Sequence, residues 1–255
     1  MPGFKTHVTV SSMLGAGYAG VGAAMCGVPL PTAILAGGLC AVAGMFPDID
    51  SDSGVPHRES LAFAAAVVPV MLADRLQHLH WPVESIILTG AGVYLFIRFV
   101  VSHLIQRLTV HRGMFHSIPA VLVFGELAFL LFSGDKLGMR CFIAAAVVLG
   151  SLSHLVLDEI WSVSFAGGVP RLKSSFGTAL KLYTHKGWVS NVAVYSQLVV
   201  LSCLTFYEPQ FMQGVYHQDA QGQSQEVAKD LQKLGESGEQ LLRSGYNAAR
   251  DALRR

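Results

Sequence analysis

Along most of this chain the apolar positions come in long unbroken runs, without the alternation that marks half-buried strands. Seven runs stand out, at residues 8–28, 29–46, 61–73, 83–105, 118–132, 139–157 and 188–207. A hydrocarbon core about 30 Å thick takes roughly 20 residues of helix at 1.5 Å each, so these runs predict membrane-crossing α-helices. The first two join at Val28-Pro29-Leu30-Pro31 and are rich in Gly and Ala, a composition that suits close helix–helix packing. The 61–73 run is short and stops at Asp74 and Arg75, so it either spans with help from its neighbours or re-enters. The expected fold class is all-α: a polytopic transmembrane helical bundle with six to seven spans.

Two segments break the pattern. Residues 159–187 form the longest internal loop, with Gly167, Gly168 and Pro170 stopping any helix early. Residues 218–255 are polar. Within them Val227, Leu231, Leu234, Gly238, Leu241, Gly245, Ala248 and Ala252 recur every four then three positions, the seam of a weak amphipathic helix. From Gln225 onward six basic residues face five acidic ones. A helix lying on a membrane surface carries a basic excess, so a packing helix that makes a homo-oligomer is at least as good a reading. The chain therefore divides into a membrane-embedded domain, 1–217, and a polar tail, 218–255.

Composition sharpens this picture. The chain is 52% hydrophobic and 14% charged, against about 25% charged in an average soluble domain, and its mean hydropathy is +0.46. A water-soluble globule is excluded, and membrane lipid becomes the expected partner. Net charge is +1, which gives no field for gripping nucleic acid. Cys26, Cys40, Cys141 and Cys203 lie far apart inside apolar runs, with no CxxC pair, and are expected to be small buried hydrophobes. Lys5 and the glycine-rich run after it resemble a weak signal peptide, but without a clear small-x-small cleavage site the run reads as a retained first span.

The residues that carry chemistry are His7; Asp48, Asp50 and Asp52 in PDIDSD; His111 and His116 in HRGMFHS; and His154 with Asp158 in SHLVLD. Imidazole nitrogen and carboxylate oxygen are ordinary ligands of zinc and similar ions, and His154 and Asp158, four apart, share one helix face. Singly, each motif is weak: an HxxxD on an apolar helix reads more readily as a satisfied polar pair, and aspartates beside a proline read as a turn. Topology changes the balance. If every run crosses the bilayer, including 61–73, then His7, PDIDSD, HRGMFHS and SHLVLD all arrive on one membrane face, each at a helix end. Several carboxylates and imidazoles converging from separate elements are what a site for one to three divalent ions requires. Such ions stabilise the attacking and leaving oxygens of a phosphoester displacement and acidify water.

His7 near the start, PDID, HRGxxHS and a late SHxxxD together resemble the LexA-regulated, inner-membrane metal-dependent hydrolases of bacteria over roughly residues 1–170. By that resemblance His7, Asp48, Asp50, His111, His116, His154 and Asp158 are the metal ligands. Phe115 departs from the Thr of the family's HRGxTHS, and EIWSVSFAGGVP after Asp158 departs from its usual ending. The order of ligands is also similar, more loosely, to the zinc-dependent phospholipase C and nuclease superfamily, all-helical with a trinuclear site. The resemblance implies zinc or manganese as the metal and the inner membrane as the location.

Other polar residues have plainer readings. His57 reads as a solvated loop histidine, with an extra ligand as the alternative. His78, His80 and His103 anchor at headgroups, and His185 is as readily a bystander as a ligand. Trp81, Trp161 and Trp188 sit where interfacial aromatics sit. Arg112 either holds a phosphate through its two-pronged guanidinium or pairs with an aspartate. Arg98 and Glu126 fall at similar depths in their spans, roughly 12 and 15 Å from the metal face at 1.5 Å per residue, and are expected to pair, with a snorkelling Arg98 and a protonated Glu126 as the alternative. Lys5, Arg58, Arg107, Arg112, Arg171, Lys173, Lys181 and Lys186 fall on the metal face, against Arg75, Lys136 and Arg140 opposite, so the positive-inside rule predicts that this face is cytoplasmic. The sequence thus reads as a multi-pass, membrane-bound metal-dependent hydrolase acting on a phosphoester of a lipid or membrane-proximal substrate. In it Asp50 accepts the proton of the attacking water and Arg112 holds the phosphate. The alternative is a non-catalytic metal-binding membrane protein or a transporter.

Overall fold

A computed structural model describes residues 3–50, 54–108, 114–133, 136–166, 169–172, 177, 180–184, 188–209 and 211–212. His111, Arg112, His185 and the predicted tail helix lie outside the described residues, as does the side chain of Asp50. By contacts the chain separates into two units, Met1–Phe206 and Tyr207–Arg255; all that follows concerns the first.

Among the described residues eight α-helices carry the fold: α1 (Phe4–Met25), α2 (Leu30–Ala43), α3 (Val55–His78), α4 (Val83–Leu95), α5 (Ser102–Leu108), α6 (Ile118–Leu131), α7 (Leu137–Ser162) and α8 (Trp188–Phe206). A 3₁₀ turn, Phe46–Asp50, follows α2, and a π-helical segment, Phe96–Val101, joins α4 to α5. Among the described residues four helices are long and apolar enough to cross a membrane: Phe4–Met25, Val83–Ile105, Leu137–Ser162 and Trp188–Phe206. Their outward faces are apolar, with Leu88 73% and Phe99 65% exposed, as a lipid-facing surface must be. α2 and α6 are shorter apolar helices. The 61–73 run is part of one continuous helix of 24 residues, α3, which carries Asp74 and Arg75 on its last turns. Among the described residues the all-α expectation has one exception. Val163–Ala166 and Val169–Leu172 pair antiparallel, Val163 opposite Leu172 and Ala166 opposite Val169, within the segment read as loop.

The centre of the unit is α2 packed between α1 and α7, with α6 on the other side of α7 and α8 on α6, while α3 lies along α4. Buried Ala36, Cys40, Ala43, Ile143, Ala146 and Val147 make the contact of α2 with α7. Small residues set these distances. A Cβ on Gly15 of α1 would collide with the Gly37 carbonyl of α2, and one on Gly150 of α7 would collide with the Cys40 carbonyl. Cys40 is buried at that contact, but Cys26, Cys141 and Cys203 are exposed, contrary to the expectation that all four are core residues: an apolar run in a membrane helix has a lipid face as well as a packed one.

At the end of the bundle where α6 stops, its last carbonyls are gripped by arginines. Arg140 is buried, donates from Nε and Nη2 to Phe129 O at 3.2 and 3.0 Å, and lies 4.3 Å over the Phe129 ring. Arg75 donates to Leu130 O at 2.8 Å. Arg140 is therefore a helix residue satisfying α6, not a loop cation. The expected Arg98–Glu126 pair does not form: Arg98 is exposed in the π segment, while Glu126 accepts from Ser202 of α8 at 2.6 Å.

Candidate metal centre

The last four carbonyls of any α-helix lack partners within the helix. At the end of α2, of the four carbonyls from Ala41 to Gly44, three take partners from other helices and one closes locally. Ser11 of α1 donates to Ala41 O at 2.7 Å, Ser151 of α7 to Ala43 O at 3.1 Å, and Met45 N closes on Val42 O at 2.9 Å. The fourth, Gly44 O, is met at 2.7 Å by His154 Nδ1. α1 and α7 thus hold the point from which the Phe46–Asp50 turn springs. His57 of α3 steadies the turn itself: its Nδ1 lies 2.6 Å from Ile49 O and its Nε2 3.3 Å from Ser102 Oγ. A carbonyl only accepts, so Nδ1 carries the proton and Nε2 accepts from the serine. His57 is 4% exposed, which corrects its reading as a solvated loop histidine. Sequence reasoning missed its positioning role, because its contact depends on the turn folding back over α3.

Five of the predicted ligands come together. His7 from α1, Asp48 from the turn, His116 from the residues before α6, and His154 and Asp158 from α7 gather as two overlapping triads, His7–His154–Asp158 and Asp48–His116–His154. In each triad the candidate ligand atoms lie within 4.8 Å of one another. His7 Nε2 is 3.3 Å from Asp158 Oδ1, His116 Nε2 is 3.0 Å from Asp48 Oδ1, and the His7 and His154 rings stack at 3.7 Å. His154 Nε2 stands 3.7 Å from both Asp48 Oδ1 and Asp158 Oδ2. All but Asp48 are nearly inaccessible; the Asp48 side chain is 22% exposed. Burial alone would raise the Asp48 carboxyl, but the bond from His116, together with the positive charge that the neighbouring imidazoles carry when protonated, holds it below the ordinary carboxylate value.

Local structure explains the aim of each group. His116 precedes Ser117, the N-cap of α6, whose Oγ accepts from Ala120 N, and Ile118 N bonds to Lys181 O at 3.2 Å, so the residue before the cap is pinned from two sides. His154 has a fixed tautomer. Its Nδ1 must donate to Gly44 O, so in the neutral ring Nε2 is a bare lone pair. That lone pair faces two carboxylates and has no hydrogen-bond partner, and neither do both oxygens of Asp158 and Nδ1 of His7. A buried imidazole lone pair aimed at two anions is a poor arrangement by itself and a good one around a cation. Three imidazoles and two carboxylates are a donor set that zinc or manganese accepts.

No curated protein and no solved structure matches the chain. A family model does, that of the YdjM inner membrane protein, over residues 1–215, a stretch that contains every described helix and every described member of the cluster. The chain belongs to the YdjM inner membrane protein family.

Proposed function

We propose that this is a multi-pass membrane hydrolase whose buried cluster binds divalent metal, zinc or manganese, and cleaves a phosphoester on a lipid or membrane-proximal substrate. The observation that carries the reading is the lone pair of His154 Nε2, fixed by Gly44 and faced by Asp48 and Asp158 with no proton to share. His7, Asp48, His116, His154 and Asp158 would hold the metal, with Asp50 and His111 as further ligands by family resemblance. A bound divalent ion supplies Lewis acidity to a phosphoryl oxygen and to the attacking water. The protein does the rest. Gly44 and His57 keep His154 and the aspartate turn in place, and α1 and α7 exclude bulk water from four of the five side chains. Asp48, the accessible member, faces arriving substrate; Asp50 takes up the proton and Arg112 holds the phosphate. The face bearing the cluster is cytoplasmic in this reading, because Lys5, Arg58 and Lys181 lie on it, while the arginines at the other end, Arg75 and Arg140, are committed to the carbonyls of α6.

The test is the metal content of the full chain purified in detergent, followed by assay on bis-p-nitrophenyl phosphate and on phospholipid with and without chelator. One to three ions per chain, and hydrolysis that chelation removes and metal restores, are the expected results. A chain without metal overturns the reading. Stoichiometric metal with no turnover on either substrate class replaces it with a non-catalytic metal-binding protein or a transporter.

A further inference from the structure

A second feature of the unit has the dimensions of a lipid tail. A cavity of about 630 Å³ lies between α3 and the α4–α5 helix on one side and α6 and α8 on the other. That volume is in the usual range of ligand pockets, roughly 300–1,000 Å³, yet its walls are almost wholly aliphatic and aromatic. Its upper end adjoins the candidate metal centre. Ile49, next to Asp48 in the chain, and Phe115, next to His116, both line it, together with Phe46 at the start of the aspartate turn. From there every wall runs to a similar depth. On α6 the lining extends from Val123 to Leu131, on α8 from Val189 to Gln197, and on α3 from Ser60 to Met71; at 1.5 Å per residue these are paths of about 12 to 17 Å. Half of a 30 Å hydrocarbon core is about 15 Å, the reach of one acyl chain from its headgroup. The cavity also has open sides, since Leu104, Leu127 and Val189 line it while remaining 40 to 48% exposed. A hydrocarbon chain can therefore slide in from the bilayer without crossing water.

We propose that this cavity binds one hydrocarbon tail of a membrane lipid, and that the lipid's phosphate then lies at the His7–Asp48–His116–His154–Asp158 cluster. The proposal rests on the hydrolase reading for what happens to the phosphate, but not for what fills the cavity. It gives Phe115 a role. Where the resemblance leads one to expect a small hydroxyl residue, this chain has a ring 6.4 Å from Phe124, which in turn meets Phe46 edge-on at 5.2 Å. These three aromatics form a contiguous apolar wall, next to the polar cluster, along which the tail lies.

The probe is a phosphatidic acid with a photoreactive diazirine near the end of one 16-carbon chain, mixed with the full-length protein in bilayer nanodiscs and mapped by mass spectrometry after illumination. The expected crosslinks fall on the deep, less exposed lining, Leu131 of α6 and Met71 of α3. Ala64→Trp, which fills the cavity from α3, should cut that labelling about tenfold without changing the metal content. Leu88→Trp, on the outer face of α4, should leave it unchanged. Crosslinks confined to outward residues such as Leu88 and Phe99, or deep labelling that Ala64→Trp does not reduce, overturn the proposal. The two readings fail separately. Deep labelling in a protein that holds no metal keeps the tail site and removes the hydrolase. Metal-dependent cleavage of bis-p-nitrophenyl phosphate without deep labelling keeps the hydrolase and removes the tail site.

Discussion

His154 makes two commitments with one ring: Nδ1 closes the end of α2 through Gly44, and Nε2 looks into the cluster. Replacing it therefore removes a candidate ligand and a helix cap together. If the cluster is one metal site, His154→Ala, Asp158→Ala and the double variant should lose metal to the same extent, because residues that act as a unit do not add. Stepwise, additive losses in measured metal content would mark a packing pair instead. His57 offers a cleaner separation, since it bonds the turn at Ile49 and Ser102 of α5 and belongs to neither triad. His57→Ala leaves the buried Ile49 carbonyl without its donor, a loss of about 1–3 kcal/mol, visible as a lower melting temperature in detergent. Because the turn carries Asp48, metal affinity should fall with it; a variant that melts early yet holds metal as tightly would show that the turn is not set by His57.

At the scale of the elements, contact between helices depends on missing side chains. Gly150→Ala places a methyl against the Cys40 carbonyl, and overpacking of this kind costs about 1–3 kcal/mol. Gly38→Ala, also on the central helix α2 but with nothing within 4 Å of the added methyl, should be neutral or gain the roughly 1 kcal/mol that alanine has over glycine in a helix. Thermal denaturation of the two variants side by side is the check, and equal melting temperatures would mean that α2 and α7 can separate freely. The same scale shows what the sequence could and could not reveal. The five gathered residues, His7, Asp48, His116, His154 and Asp158, were legible because each lies at the end of an apolar run, and counting crossings places such ends on a face. Arg98 and Glu126 were matched by the same counting and do not meet. Depth along a helix follows from residue number, but rotation about the axis and choice of neighbour do not. The π segment alters the rotation at Arg98, and α6 takes α7 and α8 as its neighbours, so Glu126 finds Ser202. Arg98→Ala and Glu126→Ala should accordingly have independent, additive effects on stability; recovery of one loss by the other would restore the pair.

At the scale of the whole molecule, orientation can be read from the chain's own thiols. Cys26 is exposed at the turn between α1 and α2, at the end of α1 far from His7, and Cys40 is buried. If the cluster faces the cytoplasm, a membrane-impermeant maleimide added to intact, outer-membrane-permeabilised cells labels Cys26. A cysteine placed at exposed Leu182, beside the Ser117–Lys181 bridge, should stay unlabelled until the cells are broken. The reverse pattern would invert the protein in the membrane.

The capping of α2 also sets a timetable for biogenesis. Ser11 precedes α2 in the chain, but Ser151 and His154 follow it by more than a hundred residues, with Gly44 and His154 separated by 110 positions. At a translation rate of about 5–20 residues per second, α1 and α2 wait roughly 5–20 s in the membrane before α7 is made. Throughout that interval the carbonyls of Ala43 and Gly44 lack their partners and Asp48 faces no histidine from α7. The nascent hairpin is thus a marked intermediate, open to membrane proteases until the seventh helix arrives. A ribosome stalled before residue 137 should yield a fragment that is degraded rapidly, while one stalled beyond residue 162 should yield a product that survives.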